Sequence, residues 1–588
     1  MTQPARNALA GTQAPGASLT DATSRRSAYR VPRHPAPVEL ALDGNEAPAT
    51  LLDPLDLVGA LDVATLNRYP DPTRLARAIA ARHGLDPARV LVTAGVDDGL
   101  LRACQVLGGA GRQMIVPVPT FEMLERYAVQ SGADMVRLPW EGGAYPVAAV
   151  LEASGSRTSA VAVVSPNNPT GAVATLDDLQ RLSGALPDAT ILLDHAYVEF
   201  ADEDLTQAAL QLPNVVVFRT LSKAFGLAGL RVGWLAGPGG LVEALRSAGG
   251  PYPVSAPSLA LAERWLATSA DAVGGLVARV RDERRLLTET LGAQGLEVRG
   301  ASQGNFVLAR TPRALWFRDA LAGQGIGVRA FPDRAGLEDA VRITCPGSDA
   351  GLARLRRALA TARDPQALLF DMDGVLVDVS ESYDAAIRET AGSFGVTLTA
   401  DDIRKERLAG AANDDWALTR RLLAARGVDA ALDEVTRRFE AVYQGDAGSP
   451  GTREVERPLV ERAWLVRLAA RWPLAIVTGR PRADAERFLE RFGLTDVFSA
   501  VICREDAPAL KPDPAPVRAA LASLASLGVE RAWMLGDTPD DVRAARAAGV
   551  LPLGCLAPGD GDETARRLLE TGAARVLSAA DELEDLLS

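Results

Sequence analysis

Histidine, cysteine, long apolar runs and excess positive charge are all scarce in this chain of 588 residues. Its three histidines, His34, His83 and His195, are too few and too scattered for a multi-histidine metal site or a histidine relay in each of several domains. Chemistry therefore has to rest on carboxylates, lysine, arginine or a cofactor. The four cysteines, Cys104, Cys345, Cys503 and Cys555, lie far apart with no CxxC pair, which excludes a disulfide scaffold and suits a reducing, cytoplasmic compartment. The longest apolar runs, such as Val161–Val164 and Leu474–Val477, are strand-sized and far short of the roughly 20 residues that span a bilayer. No charged-then-apolar leader pattern opens the chain, so no membrane partner is expected. With 63 Lys+Arg against 75 Asp+Glu, a net charge of −12 and no basic face, nucleic acid is not an expected partner either.

What the chain does have is an ordinary globular balance, with 47% hydrophobic and 23% charged residues, so it is expected to fold as packed domains. Its length predicts about four domains, or two larger α/β units, at roughly 150 residues per domain. Residues 1–36, rich in Ala, Thr, Ser, Pro and Arg without apolar periodicity, read as a mobile tail. From there to 362, short apolar strands alternate with Ala/Leu/Arg-rich helical stretches: Val90–Thr93, Met114–Val118, Val161–Ser165, Thr190–Asp194, Asn214–Phe218 and Val232–Ala236. That alternation is the sequence form of a mostly parallel sheet covered on both faces. A second α/β series occupies 366–588, with strands at Gln366–Phe370, Pro473–Thr478, Ser499–Cys503, Ala532–Gly536 and Val550–Gly554. Between its first two strands, about 380–465, lies a strand-poor block with helical spacing, which reads as a cap. The junction Thr361–Gln366 is short, with a single proline, and predicts that the parts it joins sit close together.

Two constellations carry chemistry. In the first series, a strand runs into Arg219-Thr220-Leu221-Ser222-Lys223-Ala224-Phe225-Gly226, then Gly229-Leu230-Arg231. Small and hydroxylated neighbours leave Lys223 reachable by a bulky cofactor; alone, it reads equally as a solvated lysine in a glycine-rich turn. Ser165-Pro166-Asn167-Asn168-Pro169-Thr170-Gly171 ends one strand, Asp194-His195-Ala196-Tyr197 ends the next, and Gly95-Val96-Asp97-Asp98 opens a helix whose N–H groups can hold a phosphate. Singly, these are an Asn-Pro turn and a helix N-cap; in one order at strand ends they point to one site.

These motifs resemble the fold-type I, class I/II aminotransferases that use pyridoxal 5′-phosphate (PLP), over about 40–360. The resemblance implies a large α/β domain plus a small domain. It makes Lys223 the Schiff-base lysine and proton shuttle, and pairs Asp194 with the pyridine nitrogen. Tyr197 and Asn168 would bond the ring oxygen, Phe121 would stack on the ring, and Val96, Asp97, Ser222 and Arg231 would hold the phosphate. A finer resemblance is to histidinol-phosphate aminotransferases, through Asn45-Glu46-Ala47-Pro48, Arg68-Tyr69-Pro70-Asp71, Pro251-Tyr252-Pro253, Asn305-Phe306, Val328-Arg329 and Val341-Arg342-Ile343-Thr344. It implies a homodimer in which Tyr69 reaches the neighbouring subunit's cofactor phosphate. Arg342 would bind the carboxylate of glutamate or 2-oxoglutarate, and Arg329 with Arg342 the phosphate of the amine. Ala47, and His195 where the family usually has glutamate, depart from the pattern without removing a catalytic group.

In the second series, four strand ends deliver Asp371-Met372-Asp373-Gly374, Thr478-Gly479-Arg480, Lys511-Pro512-Asp513-Pro514 and Gly536-Asp537-Thr538-Pro539-Asp540-Asp541. One carboxylate as nucleophile, a second as acid and base, a hydroxyl, a lysine and a distal carboxylate pair suit a phosphate and Mg²⁺. The set resembles subfamily I of the haloacid dehalogenase superfamily, with a Rossmann-like core and helical cap. It implies Asp371 as nucleophile, Asp373 as acid and base, Thr478 and Lys511 on the phosphoryl oxygens, and a Mg²⁺ site among Asp371, Asp373, Asp537 and Asp541. Asp540 is the less expected of the adjacent pair, and Asn413, Asp414 and Trp416 are candidates for substrate choice. Together the halves predict transamination of a phosphorylated amine with a 2-oxo acid, followed by phosphate removal, as in histidine biosynthesis. The alternatives are the same chemistries in specialised metabolism, a phospho-amino-acid decarboxylase, or a second half that only binds.

Overall fold

The computed structural model describes Tyr29, residues 31–48, Leu51, Gly59 and residues 61–410, 413–446 and 449–587. Residues 1–28 and 30 of the expected tail lie outside these. The chain forms two compact units: Asn45–Arg284 with Arg299–Leu308, and Arg33–Gly44 with Arg285–Val298 and Ala309–Ser588.

The first unit is built on seven strands: β1 Val90–Thr93, β2 Gln113–Val118, β3 Asp134–Pro139, β4 Thr158–Val164, β5 Thr190–Asp194, β6 Val215–Thr220 and β7 Gly233–Ala236. Their spatial order is β1-β7-β6-β5-β4-β2-β3. β7 runs antiparallel to both neighbours and the remaining pairs are parallel. Every residue of β4, β5 and β6 is buried, which explains their near-continuous Val, Ile and Leu content. One face packs on helix α1, Gly95–Leu107, through Leu100, Ala103 and Cys104 against Val216 and Phe218. Because consecutive parallel strands end at the same edge, the motifs at their C-terminal ends converge there.

Two larger sheets, of four and six strands, lie mainly in the second unit. Strands β8 Glu297–Val298, β9 Phe306–Arg310, β10 Arg329–Ala330 and β11 Ala340–Thr344 lie in the order β10-β11-β9-β8. Helix α2, Asp349–Arg363, then leads directly into a six-stranded sheet. Its strands are β12 Ala367–Phe370, β13 Leu474–Val477, β14 Ala500–Ile502, β15 Ala532–Gly536, β16 Leu551–Cys555 and β17 Val576–Leu577, in the order β14-β13-β12-β15-β16-β17 and all parallel. Between β12 and β13 stand helices α3 Tyr383–Ser393, α4 Ala400–Ala409, α5 Asp415–Ala424 and α6 Leu432–Gln444. A two-residue ribbon, Val377–Asp378 against Arg457–Pro458, brackets this helical insertion.

The short junction brings the two parts of this unit into contact. Trp316 and Trp533 pack with ring centroids 5.0 Å apart. Each indole N–H donates to the end of α2, Trp316 to Ala362 O at 2.8 Å and Trp533 to Thr361 O at 2.6 Å. Arg575 pairs with Asp319 at 3.2 Å, and Arg546 with Glu39 at 2.5 Å.

Two candidate active sites

The first site lies where β4, β5 and β6 give way to loops. β5 ends on Asp194, which is buried and accepts a hydrogen bond from the Ala196 N–H at 3.0 Å. Burial pushes its pKa up to about 7, with Asp97 adding to the shift and Lys223 opposing it. The Lys223 ammonium lies 5.6 Å from the centre of the Tyr197 ring. Tyr197 is fixed by Phe306, edge-on at 5.2 Å, and its hydroxyl accepts from Asn45 Nδ2 at 3.0 Å. Asn305 Nδ2 in turn donates to Asn45 O at 3.2 Å, so two signature segments far apart in sequence hold one tyrosine.

At the other end of the site, Val96 and Asp97 sit in the first turn of α1, where backbone N–H groups lack helical partners and favour an anion. Arg231 reaches the same place, pairing with Asp97 at 3.0 Å and donating to Ser222 Oγ at 3.4 Å. Gly95 takes φ +81°, which disfavours a side chain, and a Cβ there would stand 2.8 Å from Arg231 Nη2. The loops carrying Phe121 and Asn168 are laced together by Asn167, which accepts from Thr120 Oγ1 at 2.7 Å and donates to Pro119 O at 2.9 Å. PLP fits this set. A buried carboxylate destabilised as an anion suits a pyridinium N–H, and the Gly95 cradle with its guanidinium suits the phosphate. His195 sits buried behind the site, bonded to Thr206 Oγ1 at 3.0 Å and held neutral, burial and Arg219 lowering its pKa to about 3. Tyr69 stands apart, 80% exposed and stacked on Tyr252 at 4.7 Å.

Arg329 and Arg342 belong to the second unit, directly opposite each other on β10 and β11, and both are buried. Like charges facing across a ladder repel. Arg342 also donates to Asp43 O.

The other site gathers at the ends of β12, β13 and β15. Lys511 Nζ lies 2.7 Å from Asp371 Oδ1 and 2.5 Å from Asp541 Oδ1, and donates to Val477 O at 3.1 Å. Carboxylate oxygens of Asp371, Asp537 and Asp541 fall within 4.8 Å of one another. Burial, reinforced by the neighbouring carboxylates, pushes Asp371 up to about 7 and Asp537 well above its ordinary value. Asp537 Oδ1 is buried without a hydrogen-bond donor. Three oxygen donors with one orphaned atom and excess negative charge fit Mg²⁺. Gly374, at φ +72°, leaves space for this, since a Cβ there would lie 2.2 Å from Asp537 Oδ2. Asp541 is aimed by a capping box, its Oδ2 accepting from Thr538 N at 3.0 Å at the start of Pro539–Ala547. Asp540 turns away to Arg543 at 3.0 Å. Thr478 is buried beside the site, its hydroxyl accepting from Arg480 N at 3.2 Å. Asp373, expected among the metal ligands, is held by Arg480 Nε at 2.7 Å and lies outside the carboxylate trio.

The helical insertion closes over this centre. A cavity of about 40 Å³ is lined by Asp371, Asp373, Tyr383, Asp415, Trp416 and Arg480, among others. Asn413 O comes so near that a Cβ on Gly479 would stand 2.5 Å from it. Asp414 caps α5 through Ala417 N at 3.0 Å, and Trp416 lies under Arg504 at 4.1 Å.

Residues 41–359 match the model of the family described as aminotransferase class I and II, more than half of the chain. The chain belongs to that family. Residues 365–549 of this class I and II aminotransferase-family chain match the model described as haloacid dehalogenase-like hydrolase. An "Imidazoleglycerol-phosphate dehydratase" of Phytophthora nicotianae is 47% identical over 201 residues, 33% of this chain and 44% of that protein. A "Histidinol-phosphate aminotransferase" of Paracoccus denitrificans is 33% identical over 307 residues, 50% of this chain and 81% of that one. An "Aromatic amino acid aminotransferase" of Corynebacterium jeikeium is 36% identical over 357 residues, 56% of this chain and 91% of that one. The chain spans about half the length of the first two curated relatives it matches, 44% and 54%. Among solved structures, histidinol-phosphate aminotransferase from Sinorhizobium meliloti, in complex with pyridoxal-5′-phosphate, superposes with a TM-score of 0.50 at 24% identity, over 55% of this chain and 91% of that one. That likeness shows the fold.

Sequence reasoning had not assigned roles to Arg480, Glu456 or Arg407. Arg407 joins Asp384 at 2.8 Å and Asp415 at 3.2 Å. No local spacing signals such partners; only the buried arginine within the quoted Thr-Gly-Arg motif pointed toward one of them. Among the described residues no helix is long and apolar enough to cross a membrane.

Proposed function

We propose that the chain transaminates a phosphorylated ketone to its amine, with glutamate as donor, and then removes the phosphate. The best-fitting pair is imidazole-acetol phosphate to histidinol phosphate, then histidinol. The observation that carries this reading is the intact Asp371–Lys511–Asp541 cluster in the same chain as the Lys223–Asp194 site. The similarity to proteins named histidinol-phosphate aminotransferase supports the substrate. The relative named for aromatic amino acids favours a second reading, an aromatic acceptor without phosphate.

Bound PLP supplies an electron sink for the bond broken at the substrate's α-carbon. Asp194 holds a proton on the ring nitrogen, Tyr197 and Asn168 orient the ring oxygen, and Arg231, Ser222 and the α1 N-terminus anchor the phosphate. Lys223 Nζ would bind the cofactor and take up or return the proton at the substrate's α-carbon. Arg329 and Arg342 bind substrate oxyanions. A homodimer fits the exposed Tyr69, Val63 and Leu66, and four buried, widely separated cysteines fit a cytoplasmic setting.

In the second site, an Asp371 oxygen attacks phosphorus, the ester P–O bond breaks, and the leaving alkoxide takes the proton of Asp373. Asp373 then takes a proton from water, whose oxygen bonds phosphorus as the Asp371–phosphorus bond breaks. Inorganic phosphate and the alcohol leave. Lys511 and Thr478 hold the phosphoryl oxygens, and Asp371, Asp537 and Asp541 would hold Mg²⁺, which neutralises charge there.

The test is purified chain with PLP and Mg²⁺, given histidinol phosphate and 2-oxoglutarate. Glutamate, imidazole-acetol phosphate and free phosphate are expected. Absence of both activities would sink the reading; turnover of aromatic amino acids alone would select the second.

A further inference from the structure

Arg480 is a buried charge that the reaction above leaves unused. Its side chain is 1% exposed, and it follows Thr478 by two residues. Its Nε donates to one oxygen of Asp373 at 2.7 Å, and Nη2 stands 2.6 Å from the same oxygen as an ion-pair contact. Its other edge meets Glu456, with Nη1 3.1 Å from Oε2 and Nη2 3.1 Å from Oε1. Glu456 accepts from the Tyr443 hydroxyl at 3.0 Å, and the guanidinium lies 4.8 Å from the Tyr383 ring. Tyr383 and Tyr443 stand on α3 and α6 of the helical insertion, and Glu456 directly precedes the ribbon strand Arg457–Pro458. Burying an arginine between two carboxylates is costly compared with apolar packing, so stability alone is a weak reason for it. What a planar, rigid donor fork supplies is direction, which a point-charge ammonium does not.

We infer that Arg480 is the positioning residue of the acid–base carboxylate. It holds Asp373 in one orientation over the cavity shared with Asp371, and ties that orientation to the insertion through Glu456, Tyr443 and Tyr383. The inference rests on the phosphatase reading above.

The test uses leaving groups. kcat/KM is set by the step that breaks the ester P–O bond, in which an alkyl ester needs a proton from Asp373 and a p-nitrophenyl ester does not. Histidinol phosphate and glycerol phosphate are compared with p-nitrophenyl phosphate in the full chain with Mg²⁺. The double variant Arg480→Gln/Glu456→Gln leaves no buried carboxylate orphaned. Its kcat/KM for the alkyl esters is expected to fall about 100-fold or more, and for the p-nitrophenyl ester less than about tenfold, matching the ratio set by Asp373→Asn. Arg480→Lys should fall between, with KM little changed, and carries the test if the double variant does not fold. Equal loss on both ester types at an unchanged melting temperature, or no loss, would overturn the inference. A wild-type chain inactive on every ester would instead refute the phosphatase reading.

Discussion

Both sites place a lysine where parallel strands end, and they treat it in opposite ways. Lys511 is fully enclosed and shared among two carboxylates and a backbone carbonyl, and those partners raise its pKa. It is fixed as a cation and serves as a charge. Lys223 is half-buried against the face of Tyr197, with small residues around it, where its Nζ can change bonds. The carboxylates differ in the same sense. Burial raises the pKa of both Asp371 and Asp194 to about 7, but Asp371 is already paired with Lys511, whereas Asp194 accepts from a backbone N–H. One site carries its counter-charge within the protein; the other is arranged to receive it from a cofactor.

The sharpest way to break this comparison is to remove each nucleophile separately. Lys223→Ala should abolish transamination, by about a thousandfold or more, while phosphate release persists; Asp371→Asn should do the reverse. Parallel assays of glutamate and phosphate check this, and loss of both activities in either variant would mean the sites are not independent. Next in size, Asp541→Asn should lower phosphate release about 100-fold by weakening the oxygen cluster, whereas Asp540→Asn should cost less than about tenfold. Mg²⁺ titration of each variant separates them. Gly479→Ala places a methyl against Asn413 O and should slow phosphate release about tenfold, leaving transamination untouched. The smallest effect is on stability. Because the folded-state pKa of Asp194 is raised from 3.8 to about 7, its contribution to apoprotein stability is full below about pH 4 and lost as pH rises through 7. Asp194→Asn should remove that slope, on the order of a few kcal/mol, and PLP should flatten it in wild type; denaturant unfolding at pH 5 and 8 measures both.

Strands buried on both faces were legible as apolar runs, and β4, β5, β6, β12, β13 and β15 fall within a few residues of expectation. The edge strand β3 was not, because its residues alternate between exposed and half-buried and include Asp134 and Arg137. The two-residue strands β8 and β10 are too short to show a period. In the sites, residues inside motifs were readable one by one. What could not be read is who partners whom across the chain: Asn45 with Tyr197, Glu456 with Arg480, Arg407 with Asp415. Those pairs arise when the chain folds back, over separations that carry no periodic signal. Asp541 was already favoured over Asp540 from the sequence, but the capping hydrogen bond that aims Asp541 and the Asp540–Arg543 pair were not legible there.

The paired tryptophans at the end of α2 bear on how the two family-matched regions can be taken apart. A gene split between Arg363 and Ala367 falls where the sequence shows a boundary, yet it severs Trp316 and Trp533 from each other and leaves their indole acceptors on one side only. A C-terminal region released there would present Trp533, a fully buried ring, to water. The place where two genes are most easily told apart is therefore a poor place to separate their products.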